Sequence, residues 1–177
     1  MKQTSPRRGL HSALRSGFTL MELVVVVLLL AVLAGALVPR VTDRLAAARD
    51  AERLQDILEV RDAIERYHHD KGAYPVMGGN GNWNQSDEDD FLPVLVREGY
   101  LDELAEDPIN DASYHYRYYV YDQGTGGCVG PGEFYVLGIR AFETAEFQSE
   151  HPGYFKCSNR NWGDEFAWVT GGGAGER

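Results

Sequence analysis

Cysteine is scarce in this chain: Cys128 and Cys157 are the only two in 177 residues. Two thiolates cannot complete a tetrahedral zinc site, and no histidine spacing supplies the missing ligands. The motifs of common enzyme classes are missing as well. There is no nucleophile elbow, phosphate-binding glycine loop, zinc-protease helix or dinucleotide fingerprint. Basic residues are outnumbered, 17 against 27 acidic ones, for a net charge of −10. Four cations, Lys2, Arg7, Arg8 and Arg15, are the only charges in the first 17 residues, so without that stretch the charge falls from −10 to −14. So acidic a remainder argues against general nucleic-acid binding. The tyrosine-rich stretch Tyr114–Tyr119 has few cations beside it and reads as sheet core rather than a base-stacking platform. No internal repeat is present.

Charge is also lacking along one long run. From Phe18 to Val38, 21 residues, only Glu22 ionises. At about 1.5 Å per residue a helix over this run spans about 30 Å, enough to cross the hydrocarbon core of a bilayer. Cations before the run and an acidic remainder after it place the leader in the cytoplasm and export the large domain. A carboxylate in such a segment costs about 2.5–3.5 kcal/mol at its centre and less near its end, so Glu22 needs a partner. A cut between Gly17 and Phe18 would supply one, since the new α-amino group would lie about one helical turn away. Two alternatives stand beside this: an uncleaved anchor whose Glu22 snorkels to the interface, and an ordinary secretory signal cut near Ala34-Gly35-Ala36. Arg7-Arg8 is not followed by the residues of a twin-arginine signal.

The stretch Gly17-Phe18-Thr19-Leu20-Met21-Glu22, between a basic leader and an unbroken apolar run, resembles the processing site of type IV pilins and type II secretion pseudopilins. The resemblance implies that a prepilin peptidase cuts after Gly17 and methylates Phe18. It implies that Glu22 guides packing of one subunit on the next, and that Pro39 lets the helix partly unwind inside a filament. The fold implied is α+β and pilin-like, a long N-terminal helix packed on a small antiparallel sheet. A second, looser likeness covers residues 60–120. Lys71-Gly72-Ala73-Tyr74-Pro75, Gly99-Tyr100-Leu101, Asp107-Pro108 and Tyr114-His115-Tyr116 are similar in order and spacing to the major pseudopilin.

The rest of the chain fits that outline. Pro39 marks a kink after the apolar run. From Val41 to Asp70 the sequence is amphipathic, with Leu54, Ile57, Leu58, Ile64 and Tyr67 near one face and Arg53, Asp56, Glu59, Arg61, Asp62, Glu65 and Arg66 on the remainder. With the apolar run this makes a helix of about 50 residues, about 75–80 Å long, ended by Gly72. Ser86 is expected to cap a short helix whose first turn holds Asp87–Asp90 and which Gly99 stops. Strands are expected over Tyr114–Tyr121, with Tyr114, Tyr116, Tyr118 and Val120 on one face, then Glu133–Phe142 and Glu165–Thr170. Gly171–Arg177 reads as a flexible tail.

Cys128 and Cys157 fall in the part expected to be exported, where a disulfide persists. Closing a loop of about 30 residues contributes roughly 3.5 kcal/mol in the chain-entropy model. The alternative is two unpaired thiols acting as small apolar residues. Many type IV pilins close a C-terminal loop this way. Major pseudopilins instead carry a calcium site near the C-terminus, but Ser158-Asn159-Arg160-Asn161-Trp162-Gly163-Asp164 does not match its motif. No cofactor is therefore expected; calcium at Asp87–Asp90 is the alternative, although the spacing is not that of an EF-hand. His68 and His69 are adjacent on the helix and cannot chelate one metal from it.

The expected organisation is a cleaved leader over 1–17, a membrane or filament-core helix over 18–40 and an exported head over 41–177. Its helix occupies 41–71, with the sheet and C-terminal loop at 114–170. The expected role is structural and not enzymatic: a single-pass inner-membrane subunit of a type II secretion pseudopilus. Its partners would be its own copies and other pilin-like subunits, a prepilin peptidase, and an inner-membrane assembly platform with its ATPase. No nucleic acid is expected. A type IV pilus subunit for adhesion, twitching or DNA uptake is the alternative, and an uncleaved membrane-anchored receptor or enzyme the third reading.

Overall fold

The structure, a computed structural model, describes residues 17–76, 83–88 and 90–173, without the side chains of residues 36–39. Residues 1–16 of the expected leader, most of the Gly78–Asn84 loop, Asp89 and the last four tail residues lie outside it. The chain divides into two units, residues 1–41 and 42–177.

Helix α1, Leu20–Lys71, has 52 residues and continues past Pro39, so the proline does not end it. Any kink there rests on residues 36–39, whose side chains are outside the described set. In the first unit the apolar side chains from Leu20 to Leu33 are exposed. An 18-residue window of mean hydropathy 2.9 makes the helix long and apolar enough to cross a membrane. No described residue of the unit covers these side chains, as suits a helix whose surroundings are lipid or other helices.

In the second unit the later part of α1 buries Ile57, Val60, Ala63 and Ile64, with Leu54, Leu58 and Tyr67 packed at the margin. Gly72, with φ of 73°, takes the left-handed position that ends a helix, and its N–H reaches the His68 carbonyl. Against this helix lies an antiparallel sheet of four strands in the order β1-β2-β3-β6: β1 Asn84–Gln85, β2 Tyr116–Tyr121, β3 Phe134–Ile139 and β6 Trp168–Gly172. Tyr118 pairs with Leu137, and Leu137 with Thr170, so β3 is central. A separate hairpin joins β4, Lys156–Cys157, to β5, Arg160–Asn161.

Both faces of the sheet are covered. Tyr116, Tyr118, Tyr135, Leu137 and Ile139 pack on the α1 side with Phe91, Leu92 and Leu95. Tyr121, Phe134, Val136 and Val169 pack on the other side against Phe155, Trp162, Phe166 and the two cysteines. The reason is visible in β3: Phe134-Tyr-Val-Leu-Gly-Ile has no polar residue to turn toward water, and all six positions are buried.

Several expected boundaries move. The short helix α2 is Pro93–Arg97 and does not start at Ser86. Ser86 is instead consumed at the sheet edge, where its Oγ accepts from the Tyr116 N–H at 3.0 Å and donates to Asn110 Oδ1 at 2.8 Å. Proline at the first helical position has its φ preset and lacks an N–H that would be orphaned there. Asp87 and Glu88 therefore sit in a turn rather than at a helix N-terminus. Tyr114 is outside β2, because the Asp111 carboxylate accepts the Ser113 and Tyr114 N–H groups at 2.8 and 2.9 Å and holds a local turn. The third expected strand shifts to β6, since Trp162–Asp164 forms a 3-10 turn before it. Gly171 and Gly172 are strand residues, not tail. A Cβ on Gly171 would stand 2.5 Å from both Phe155 and the Tyr135 carbonyl, so the central strand and the covering layer need a glycine there. A further helix, α3 Ala145–Glu150, and the β4–β5 hairpin were not anticipated.

Candidate processing and assembly site

Gly17, Phe18 and Thr19 precede α1 without regular structure, and Phe18 is 87% exposed. The Gly17–Phe18 bond thus lies outside the helix, and among the described residues nothing comes within 4 Å of where a Gly17 Cβ would be. Thr19 is the residue at which the helix begins. Its N–H and Oγ1 both donate to Glu22 Oε2, at 2.8 and 3.0 Å, while its Oγ1 accepts from the Glu22 N–H at 3.2 Å. This is a reciprocal capping box, which satisfies two of the helix's orphan N–H donors. The sequence reading missed it, although Thr19-Leu-Met-Glu22 has the T-x-x-E spacing that announces one. The Phe18 nitrogen is a peptide amide here, and Glu22 is held by Thr19.

In the head, polar side chains bind α1 to distant loops. Arg53, expected on the solvated face, is fully buried. Its guanidinium donates to both oxygens of Asp107 at 2.7 and 3.0 Å, to Asp50 at 2.8 Å and to Glu143 at 2.7 Å. The Tyr114 ring lies below it, 4.8 Å from the guanidinium carbon. Asp50, also fully buried, accepts from the Glu143 and Thr144 N–H groups at 2.9 Å each. Arg49 completes the group through Glu143 Oε1 at 2.8 Å. The Arg49 hydrogen bond, reinforced by Arg53 and opposed by burial, brings the Glu143 carboxyl down to about 2. Burial alone would lower Arg53, but its three carboxylate partners outweigh this and raise it. Two buried tyrosines add ties to the same helix. Tyr116 donates to Asp56 at 3.1 Å and Tyr135 to Glu65 at 2.9 Å. Helical periodicity could not reveal Arg53, because what draws it inward is a carboxylate 54 residues away.

Cys128 and Cys157 form a disulfide, buried at 2% and 6% exposure. Gly126 and Gly127, both with positive φ, bring the preceding turn close to Trp162, Ser158 and Asn159. The Gly126 carbonyl accepts from the Asn159 N–H at 3.0 Å. Arg160 stacks over Trp162 at 4.8 Å and forks onto Glu165 at 2.7–3.0 Å. Among the described residues no group of three or more His, Cys, Asp or Glu side chains is arranged to hold a metal ion. His68 stacks on Tyr74 at 4.1 Å, and the His69 side chain is 88% exposed.

An apolar-then-amphipathic helix with a capped start and a small antiparallel sheet packed on its later part define a pilin-like subunit. Known proteins refine that class. The chain is 32% identical over 138 residues to type II secretion system core protein G of Pseudomonas aeruginosa, covering 70% of this chain and 83% of that one. The same protein of Escherichia coli is 32% identical over 96 residues, covering 52% of this chain and 65% of its own. That of Vibrio cholerae is 31% identical over 102 residues, covering 56% and 70%. No family model matches the chain, and no solved structure does. The chain belongs to the type II secretion system core protein G family, the pseudopilins, and its role is that of a structural subunit of a pseudopilus.

Proposed function

We propose that the chain is made as a precursor, cut between Gly17 and Phe18 by a prepilin peptidase and methylated at Phe18. It is held single-pass in the inner membrane by residues 18–40, with the leader cytoplasmic and the head periplasmic. Subunits then join their own copies and other pilin-like subunits on an inner-membrane platform driven by its ATPase. The growing filament moves exported proteins outward. The head performs no catalysis and needs no cofactor. Disulfide and Arg160 contacts hold the loop over 158–164 in place of a metal.

The observation that carries this reading is the exposed Gly17–Phe18 bond immediately ahead of the Thr19–Glu22 cap. Once that bond is cut, Phe18 bears an ammonium one turn from a carboxylate, both in apolar surroundings. An unpaired charge buried in a filament core is strongly unfavourable, so Glu22 of the same chain or of a neighbour neutralises it and sets the register between subunits. Mass spectrometry of the N-terminus from membrane and filament fractions is the test. Methyl-Phe18 is expected at the mature end. An end at Met1, or one beyond Ala36, overturns the reading.

A further inference from the structure

Among the described residues the β4–β5 hairpin pairs with no strand of the main sheet. It is docked by Phe155 and Trp162, both fully buried, by the Asn159–Gly126 backbone bond and by the Cys128–Cys157 bridge. The bridge joins residues 29 apart and encloses the central strand β3, while β6, which pairs with one edge of β3, follows the hairpin after the Trp162–Asp164 turn. Without the bridge the hairpin is tied to the rest of the head by the buried Phe155 and Trp162 side chains and the Asn159–Gly126 backbone bond, and each opening of it uncovers the apolar sheet face of Phe134, Val136 and Val169. The two sulfurs are shielded once the hairpin has docked. An oxidant must therefore reach them while the head is still open, as an enzyme that engages unfolded chain can.

We propose that a protein dithiol oxidase of the cell envelope closes this bridge, and that only bridged heads enter the filament. The step rests on the pseudopilus reading above. The thiolate of one cysteine attacks the oxidase disulfide, giving a mixed disulfide and one oxidase thiolate. The second cysteine thiolate attacks the sulfur of its partner, forms Cys128–Cys157 and releases the oxidase as a dithiol. Two electrons pass to the oxidase, and its thiols take up the two protons that the cysteines lose.

Two measurements on the full chain test this. The first uses an envelope dithiol oxidase whose resolving cysteine is replaced by serine. It is expected to trap a covalent adduct that reducing agent dissolves and that the C128S/C157S double variant does not form. No adduct, with bridge formation unchanged in cells lacking envelope dithiol oxidases, overturns the enzymatic step. The second uses cells depleted of those oxidases, with free thiols alkylated before fractionation. Alkylated chain is expected in the membrane pool and absent from sheared filaments. Alkylated chain in filaments at the proportion of the membrane pool overturns the gate. If fully bridged wild type forms no polymer, the pseudopilus reading fails instead, and the adduct experiment still decides the oxidase.

Discussion

Under the proposed maturation, Glu22 exchanges one set of donors for another. In the precursor it is occupied by the backbone and hydroxyl of Thr19. After the cut, the ammonium of Phe18 competes for the same oxygens with a full charge. Glu22→Val makes the segment more apolar, so insertion should be at least as efficient as in wild type. Cleavage should survive, because the residue lies beyond the cut bond. Assembly should be lost, and processed monomer should accumulate. Immunoblots of membrane and sheared filament fractions read this directly; wild-type filament yield from fully processed variant would sink the role given to the carboxylate. Gly17→Glu acts one step earlier. A side chain at this position meets no described residue, so a loss of processing is assigned to the peptidase, and a longer, unmethylated membrane protein is expected by mass. Glu143 tests the head. Its carboxyl is lowered from 4.5 to about 2 by the Arg49 bond first. A depressed carboxylate contributes stability that is present above the unfolded value and is lost as pH falls through the folded one. Head stability should therefore decline between about pH 4.5 and about 2, and Glu143→Gln should flatten that limb in acid titrations followed by circular dichroism.

Helix α1 and the sheet meet through two kinds of contact. Ile57, Val60 and Ile64 supply apolar burial without direction, while Arg53, Asp50 and the tyrosine hydroxyls fix how the loops at Asp107 and Glu143 seat on the helix. Arg53→Ala would leave Asp50 and Asp107 buried without their cation. Truncating one member of a buried ionic group costs roughly 3–5 kcal/mol. Urea unfolding of a head beginning at Thr42 should show a loss of that order. Arg53→Met should cost about as much despite keeping side-chain volume, because charge and not space is what the two carboxylates lose. A loss below about 1 kcal/mol would mean that the network is solvated rather than buried, as measured exposed pairs are.

The head as a body closes only when its C-terminal layer lies over the sheet. Cys128–Cys157 joins the turn before β3 to that layer, and the two glycines of the turn let it approach. Replacing both cysteines with serine should destabilise the head by roughly 2–5 kcal/mol, the usual loss for a small exported domain. Thermal melting of wild type and variant checks this, with thiol labelling of the unreduced wild type alongside. Two reactive thiols in native wild type would remove the bridge and the layer's anchor with it.

Local pattern was enough for the parts whose cause is local. An apolar run with one carboxylate specifies a helix able to span lipid, and its period change at Val41 specifies a helix with one covered face. Gly72 ends that helix because left-handed backbone suits glycine. The Thr19–Glu22 cap is written in contiguous residues too, as the T-x-x-E spacing. What only the tertiary structure decided depends on residues far apart in the chain. Ser86 looked like a helix cap until Tyr116 and Asn110 claimed its hydroxyl. Arg53 looked solvated until Asp107 came within 2.7 Å. Gly171 looked like tail until Phe155 and the Tyr135 carbonyl filled the space beside it. In each case a long-range partner outweighed a local propensity of about 1 kcal/mol, because leaving a buried polar group unpaired, or a close contact overfilled, costs more than that.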